Sequence, residues 1–314
     1  MTTTVFVDGQ AGTTGLKIHE RLSGRDDIEL IVIDPNRRKD IKARQECINS
    51  ADIVFLCLPD EAARESAALA TNPKTRIIDA STAHRTHPDW VYGIPELSAA
   101  QREKISSARR VAVPGCHATG FNVIVYPLVQ LRIVPRDYPL TCHSLTGYSG
   151  GGTKLIAVYE QGELTEAIRG PRPYALTLNH KHLPEMQAIN SLAYPPLFMP
   201  VVANIHSGMI VSVPLFSRLL NKEKTPLGIH RTLAAWYEGQ RFVSVMPFQE
   251  ESNLDGGFLD ATACNGTNRL EIFVFGNEEQ VLISSRFDNL GKGASGAAIQ
   301  NMNIMLGVDE GVGL

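Results

Sequence analysis

The first twenty-two residues constrain the fold most strongly. Val5-Phe6-Val7 is an uninterrupted apolar stretch. Gly9-Gln10-Ala11-Gly12-Thr13-Thr14-Gly15 follows it directly, and a helical pattern then runs to Leu22. A short continuous apolar strand, a glycine-rich turn and a helix are the opening of a βαβ unit. The pattern repeats. Ile28–Ile33 is β-like, Ile53-Val54-Phe55-Leu56-Cys57-Leu58 is apolar throughout, an alanine-rich helix runs to Ala70, and Arg76-Ile77-Ile78-Asp79 is a fourth strand. Strands with no polar face need cover on both sides, which a parallel sheet flanked by helices supplies. The expectation is a doubly wound α/β layer.

From about residue 140 the segments lengthen and alternate, as in Asn204–Phe216 and Leu270–Phe275. They predict an α+β region with a mainly antiparallel sheet and helices on one face. Lys292–Leu306 returns to helical spacing, with Ala294, Ala297, Ala298, Met302 and Met305 as a core stripe. The expected domains are 1–117 with 290–314, and 118–289.

The glycines at 9, 12 and 15 have the G-x-x-G-x-x-G spacing. Their absent side chains let a pyrophosphate approach the backbone and rest on a helix N-terminus, with Thr13 and Thr14 in the first turn. A turn without a ligand is the competing reading. The strand context favours a dinucleotide and a Rossmann-type domain. The second strand ends at Asp34, and Arg37-Arg38-Lys39 follow. Cations there suit a ribose 2′-phosphate, so the cofactor expected is NADP rather than NAD.

Val111-Ala112-Val113-Pro114-Gly115-Cys116-His117-Ala118-Thr119-Gly120 leads from a strand into a helix. That places Cys116 in a first helical turn, where unpaired N–H groups favour a thiolate and could receive an oxyanion. The chain has five cysteines, widely spaced and without a C-x-x-C, so neither a disulfide framework nor a zinc ribbon is expected. Cys47, Cys57, Cys142 and Cys264 read as structural. A thiolate needs a proton carrier. His180-Lys181-His182, with Glu185 beyond, supplies two histidines on one side of an extended segment, and His206 is a further candidate. The H-x-H spacing also admits a metal with Glu185 as third ligand. Acid–base use ranks above it, and no metal is expected. Gly147-Tyr148-Ser149-Gly150-Gly151-Gly152-Thr153-Lys154 could hold an anion on successive N–H groups and Lys154.

Together these motifs resemble the N-acetyl-γ-glutamyl-phosphate reductases, the short form in particular, which are related to aspartate-semialdehyde dehydrogenase. The resemblance runs through Gly9–Gly15, Asp79-Ala80-Ser81-Thr82, Tyr92-Gly93-Ile94-Pro95-Glu96-Leu97, Pro114-Gly115-Cys116 and Ser149–Gly152. It continues in His180–Glu185, Asp288-Asn289-Leu290-Gly291-Lys292-Gly293-Ala294-Ser295-Gly296 and Gln300-Asn301-Met302-Asn303. It implies Cys116 as nucleophile and His180 as base. Ser149, Gly150, Lys154, Tyr174, His182, Glu185 and Arg85 would line the substrate site. Gly9, Gly12, Thr13, Thr14, Gly15, Arg37, Arg38, Ser81, Asn289, Lys292 and Gly293 would bind the cofactor. Arg85 and Lys154 both remain open as the cation for a leaving phosphate. The chain departs from the long family form at His117 and Ala118, where that form has tyrosine and proline, at Lys181, where it has arginine, and at His206, where it has asparagine.

The implied reaction is NADPH-dependent reductive dephosphorylation of an acyl phosphate through a Cys116 thioester, in arginine biosynthesis. A relative acting on aspartyl or aminoadipyl phosphate is the rival enzyme, and a dinucleotide-sensing regulator without catalysis the non-enzyme rival. Thirty Lys plus Arg against 33 Asp plus Glu gives a net charge of −3 and no drive toward nucleic acid or anionic membranes. The segment MTTTVFVDGQ has no basic region ahead of an apolar one, so no secretory signal is expected. The expected partners are a small acyl phosphate and inorganic phosphate. The expected state is a cytoplasmic homo-oligomer, dimer or tetramer.

Overall fold

A computed structural model describes residues 2–10, 12–162 and 164–314. Ala11, inside the glycine-rich turn, lies outside the described residues. The chain forms two compact units, Met1–Pro114 with Ala294–Leu314, and Gly115–Gly293.

In the first unit the elements run β1 (Thr3–Asp8), α1 (Thr13–Leu22), β2 (Ile28–Ile31), α2 (Ile41–Ser50), β3 (Ile53–Leu56) and α3 (Asp60–Leu69). Then follow β4 (Arg76–Asp79), β5 (Val91–Tyr92), α4 (Ala99–Ser107) and β6 (Arg110–Ala112). The strands pair in the order β2-β1-β3-β4-β6-β5, all parallel. The continuous apolar strands divide their side chains between two cores. Val5, Val7, Ile53, Phe55 and Ile78 pack with Ile18, Ile105 and the C-terminal helix Gly296–Leu306. Phe6, Val54, Leu56 and Ile77 point the other way, onto Ile48, Ala67 and Trp90. Successive strand residues face opposite sides, so a strand covered on both needs no polar positions. The stripe residues Ala297, Ala298, Met302 and Met305 are core, as expected from sequence, whereas Ala294 is half-buried and precedes the helix start at Gly296.

The second unit begins with α5 (Cys116–Gln130), β7 (Thr141–Gly147), α6 (Gly152–Glu160), α7 (Glu166–Arg169), β8 (Arg172–Pro173) and α8 (Leu183–Asn190). It continues with β9 (Leu197–Ala203), β10 (Met209–Phe216), α9 (Pro226–Trp236), β11 (Val243–Val245), β12 (Leu270–Gly276) and β13 (Gln280–Phe287); Gly296–Leu306 is α10. Its sheet has the order β11-β12-β13-β10-β7-β9-β8. Four of the pairings are antiparallel, and β7–β9 and β11–β12 are parallel. Helix α5 lies close to the sheet at Gly120, where a Cβ would come within 2.6 Å of Ser285 Oγ and of Val211. The strand expected from Asn204 instead starts at Met209. Gly208 has φ +117°, and the 204–208 turn pairs with 147–149, as Tyr148 and Ser149 donate to the carbonyls of Ile205 and His206. Among the described residues no helix is long and apolar enough to cross a membrane.

Candidate active site

Helices α2, α4 and α9 are capped by Asp40, Ser98 and Thr225, whose side chains accept an N–H from the first turn. Helices α1 and α5 begin after Gly12 and Gly115 and have no side-chain cap. Their first N–H groups have no intrahelical acceptor.

Cys116 opens α5 and is half-buried. The residue before it is held in place: Gly115 N–H donates to Glu185 Oε2 at 3.1 Å, and Thr119 Oγ1 donates to the Gly115 carbonyl. Glu185 lies on α8, 1% exposed. Asn190 at the end of α8 donates to Asn122 of α5 at 2.7 Å, so the two helices are tied at both ends of their contact. Gly293 backs the cysteine, since a Cβ there would stand 2.9 Å from Cys116 Cβ. The other cysteines behave as structural thiols. Burial pushes Cys47, Cys57 and Cys142 up, and Cys264 up to about 12.

The sheet delivers the remaining groups. Ser144 on β7 pairs with Pro200 on β9, and Tyr174, just after β8, donates its N–H to the Pro200 carbonyl. This row meets the first turn of α5 at His117. His117 Nδ1 lies 2.6 Å from Ser144 Oγ, and Nε2 lies 2.7 Å from Tyr174 Oη. The His117 ring stands 5.5 Å from that of His180, 5.4 Å from His182 and 5.1 Å from Phe198. Burial, with the charges of His180 and Lys181, pushes His117 down to about 3, and it is neutral. Burial and the charge of Cys116 raise Tyr174 well above the usual phenol range, so it stays protonated. His182 N–H donates to His180 Nδ1 at 3.1 Å, which puts the proton of neutral His180 on Nε2. His182, His180 and Tyr174 thus gather around His117, the residue next to Cys116, and Glu185 holds Gly115 on its other side.

His117 and Ser144 are the residues that sequence reasoning missed. A histidine directly after the cysteine in a first helical turn was the available signal. The metal alternative also changes: among the described residues the convergent donor set is Cys116, His117 and His182, within 4.8 Å, rather than the two H-x-H histidines with Glu185.

Ser149 is buried in the turn 148–151. Asn289 Nδ2 donates to its Oγ at 3.0 Å, while Asn289 Oδ1 accepts from Gly208 N–H. Asn289 is therefore a brace of the Ser149 turn. Gly150 lies 3.6 Å from Asn289 Nδ2, measured from where its Cβ would be. Lys154 is exposed on α6. His206 is exposed in the 204–208 turn, beside Tyr148. Lys292 is 1% exposed, with Nζ 5.8 Å from the Phe242 ring.

In the first unit, Gly9 has φ +95°, and a Cβ would meet the Cys57 carbonyl at 2.4 Å. A Cβ on Gly15 would meet the Gly9 carbonyl at 2.5 Å. Gly12 leaves open the approach to α1. Thr13 Oγ1 is buried without a hydrogen-bond partner among the described residues. A hydroxyl left unpaired in a side-chain-free cradle at a helix N-terminus fits a dinucleotide pyrophosphate. Thr14 occupies the same first turn. Arg37 and Arg38 are exposed on the turn after β2, where Asp34 accepts from Asn36 N–H. Ser81 is held by Asp79, which also binds His84 Nδ1 at 2.7 Å. Arg85 is 8% exposed and donates to the Val113 and Ala80 carbonyls.

Two family models match the chain. The semialdehyde dehydrogenase NAD binding domain covers residues 4–108, and the semialdehyde dehydrogenase dimerisation domain covers 116–289. The second match fits a homo-oligomer acting on a small molecule. The chain is 49% identical to N-acetyl-gamma-glutamyl-phosphate reductase 2 of Nostoc sp., over 99% of this chain and 98% of that protein. It is 47% identical to N-acetyl-gamma-glutamyl-phosphate reductase of Burkholderia lata, over 98% and 97%. Among solved structures, aspartate semialdehyde dehydrogenase II of Vibrio cholerae, complexed with ASA, superposes with a TM-score of 0.72 at 14% identity, covering 98% of each chain. The Francisella tularensis aspartate semialdehyde dehydrogenase gives 0.71 at 14%, over 97% and 100%. The structural likeness shows the fold, and the sequence identity places the chain more narrowly: it belongs to the semialdehyde dehydrogenase family and, within it, to the N-acetyl-γ-glutamyl-phosphate reductases.

Proposed function

We propose that the chain catalyses NADPH-dependent reductive dephosphorylation of N-acetyl-γ-glutamyl phosphate to N-acetyl-glutamate 5-semialdehyde and phosphate, as a cytoplasmic homodimer or homotetramer serving arginine biosynthesis. The observation that carries the reading is Cys116 at the start of α5, which has no side-chain cap, beside His117 and the His180, His182 and Tyr174 side chains clustered on it. Such an end favours a thiolate and can receive an oxyanion.

The Cys116 thiolate attacks the acyl carbon, forming a C–S bond while the carbonyl pair moves to oxygen. When that pair returns, the C–O bond to phosphate breaks and phosphate departs with its electrons, leaving a thioester on Cys116. Gly9, Gly12, Gly15, Thr13 and Thr14 would hold the pyrophosphate of NADPH, and Arg37 and Arg38 its 2′-phosphate. NADPH, when bound, supplies the hydride that takes the thioester to the aldehyde level. His180, with its proton on Nε2, donates a hydrogen bond to the carbonyl oxygen as negative charge grows there, and that pair re-forms the C=O as the C–S bond breaks. Cys116 leaves again as thiolate. Glu185 fixes the backbone that aims the sulfur.

The test is Cys116→Ser, assayed in the reverse direction with N-acetyl-glutamate semialdehyde, phosphate and NADP. Turnover should vanish while NADP binding stays near wild type. Substantial residual turnover removes Cys116 from the role. Preference for aspartate semialdehyde as substrate of the unaltered enzyme overturns the assignment.

A further inference from the structure

His117 is 3% exposed and Ser144 is 1% exposed, and both ring nitrogens of His117 are bound to hydroxyl groups. A hydroxyl can donate or accept, so the direction of the chain follows from what each member can reach. Ser144 Oγ has one hydrogen-bond partner among the described residues, His117 Nδ1. A buried O–H left without an acceptor costs more than an unused oxygen lone pair. Ser144 therefore donates to Nδ1. Neutral imidazole carries one proton, which must then sit on Nε2 and donate to Tyr174 Oη. Tyr174 has its oxygen occupied by His117, so its own proton is turned away from that ring, and the charge of Cys116 acts on this hydroxyl.

We propose that Ser144, His117 and Tyr174 form a one-way hydrogen-bond chain that presents the Tyr174 hydroxyl proton to the group on Cys116, first the thiolate and then the oxygen of the bound acyl group. His117 and Ser144 are positioning residues, and Tyr174 is the donor. No bond is made or broken within the chain and no proton crosses it. It fixes which way three existing protons point. The inference rests on the reading of Cys116 as nucleophile and adds residues to that site.

The surroundings keep the polarity fixed. His180 and His182 flank the His117 ring, Lys181 lies between them in sequence, Cys116 adjoins it, and Glu185 holds Gly115. Burial, and after it the charges of His180 and Lys181, disfavour a second proton on His117. A protonated ring would donate at both nitrogens and reverse the Ser144 bond.

The experiment compares His117→Gln, His117→Asn and Tyr174→Phe. The glutamine amide nitrogen reaches the place of Nε2 and can still donate to Tyr174, whereas the asparagine side chain ends near the place of Nδ1. The readouts are kcat and KM in the semialdehyde assay and the pH dependence of Cys116 alkylation by iodoacetamide. H117N and Y174F should lose roughly tenfold to a hundredfold in kcat with little change in KM. Each should raise the apparent pKa of alkylation by about one unit. H117Q should recover at least fivefold of the loss seen in H117N. Equal losses in H117Q and H117N, or a wild-type alkylation profile in Y174F, overturn the chain. Y174F removes a single oxygen from a residue that is not fully buried, so it tests the idea even where a His117 variant misfolds. Alkylation needs no substrate. A chain inactive on the N-acetyl semialdehyde yet showing the alkylation shifts fails the proposed function and keeps this inference.

Discussion

Burial of His117 makes the second unit sensitive to acid in a calculable way. The residue is pushed from 6.5 down to about 3 by loss of solvent and by the charges of His180 and Lys181. In the unfolded chain the same imidazole protonates near 6.5, so unfolding takes up a proton at any pH between the two values. The stabilisation is complete above about pH 6.5 and falls as pH drops toward 3. The slope approaches about 1.4 kcal/mol per pH unit, and integration from pH 7.5 to 5 gives a loss of about 2 kcal/mol. For a unit of this size that is roughly 4–8 °C in Tm. His117→Gln cannot protonate, so its Tm should fall less over the same interval by about that amount. Trp236 lies on α9 in the same unit and Trp90 in the other. Melting followed by tryptophan fluorescence in a Trp90→Phe background therefore reports on the second unit. Identical Tm losses in the histidine and glutamine forms would refute the claim that His117 is buried neutral.

The remaining expectations concern the site and its edges. His180→Asn should lower kcat far more than His206→Asn, because His180 stands in the ring cluster and His206 is exposed in the 204–208 turn; the opposite order in steady-state assays transfers the role. Arg37→Ala with Arg38→Ala should weaken NADP by roughly tenfold or more and NAD by much less, read from the ratio of Kd values, since only NADP carries the 2′-phosphate. Equal weakening sinks that assignment. Gly293→Ala forces a methyl to within 2.9 Å of Cys116 Cβ, 3.2 Å of Phe287 and 3.3 Å of the Asp288 carbonyl. Overpacking of this kind costs about 1–3 kcal/mol. Tm should fall by several degrees and Cys116 should alkylate at a different rate. A variant unchanged in both would show that the segment relaxes freely.

The parallel sheet is legible in sequence because each buried strand must be apolar at every position, and Val5–Val7 and Ile53–Leu56 are. The second sheet is legible only in outline. Alternation along Met209–Phe216 marks one covered face, yet it says nothing of which neighbour a strand chooses. The parallel pairing of β7 with β9 spans the whole of α6, α7, β8 and α8, and no local pattern encodes a closure of that length. The misjudged start of β10 has a plainer cause. Asn204-Ile205-His206-Ser207 could extend a strand, and Gly208 at φ +117° turns them back onto 147–149.

The same division runs through the site. Cys116 is visible because its chemistry is local: a strand, Pro-Gly, and the first turn of a helix lie within six residues. His180 and His182 are visible because they are two apart. The neighbours that orient them belong to the sheet. Ser144 reaches His117 across 27 positions and Tyr174 across 57, and each arrives through the β7–β9–β8 edge. A serine mid-strand and a tyrosine after a two-residue strand carry no signature of their own. Their use follows from the register that sets Ser144 opposite Pro200, whose carbonyl accepts the Tyr174 amide. A shift of one residue along β7 would put Ser144 on the other face and leave Nδ1 of a buried histidine without its donor. Register in that edge and proton position at the cysteine are thus one constraint, and a variant that slips the first must disturb the second.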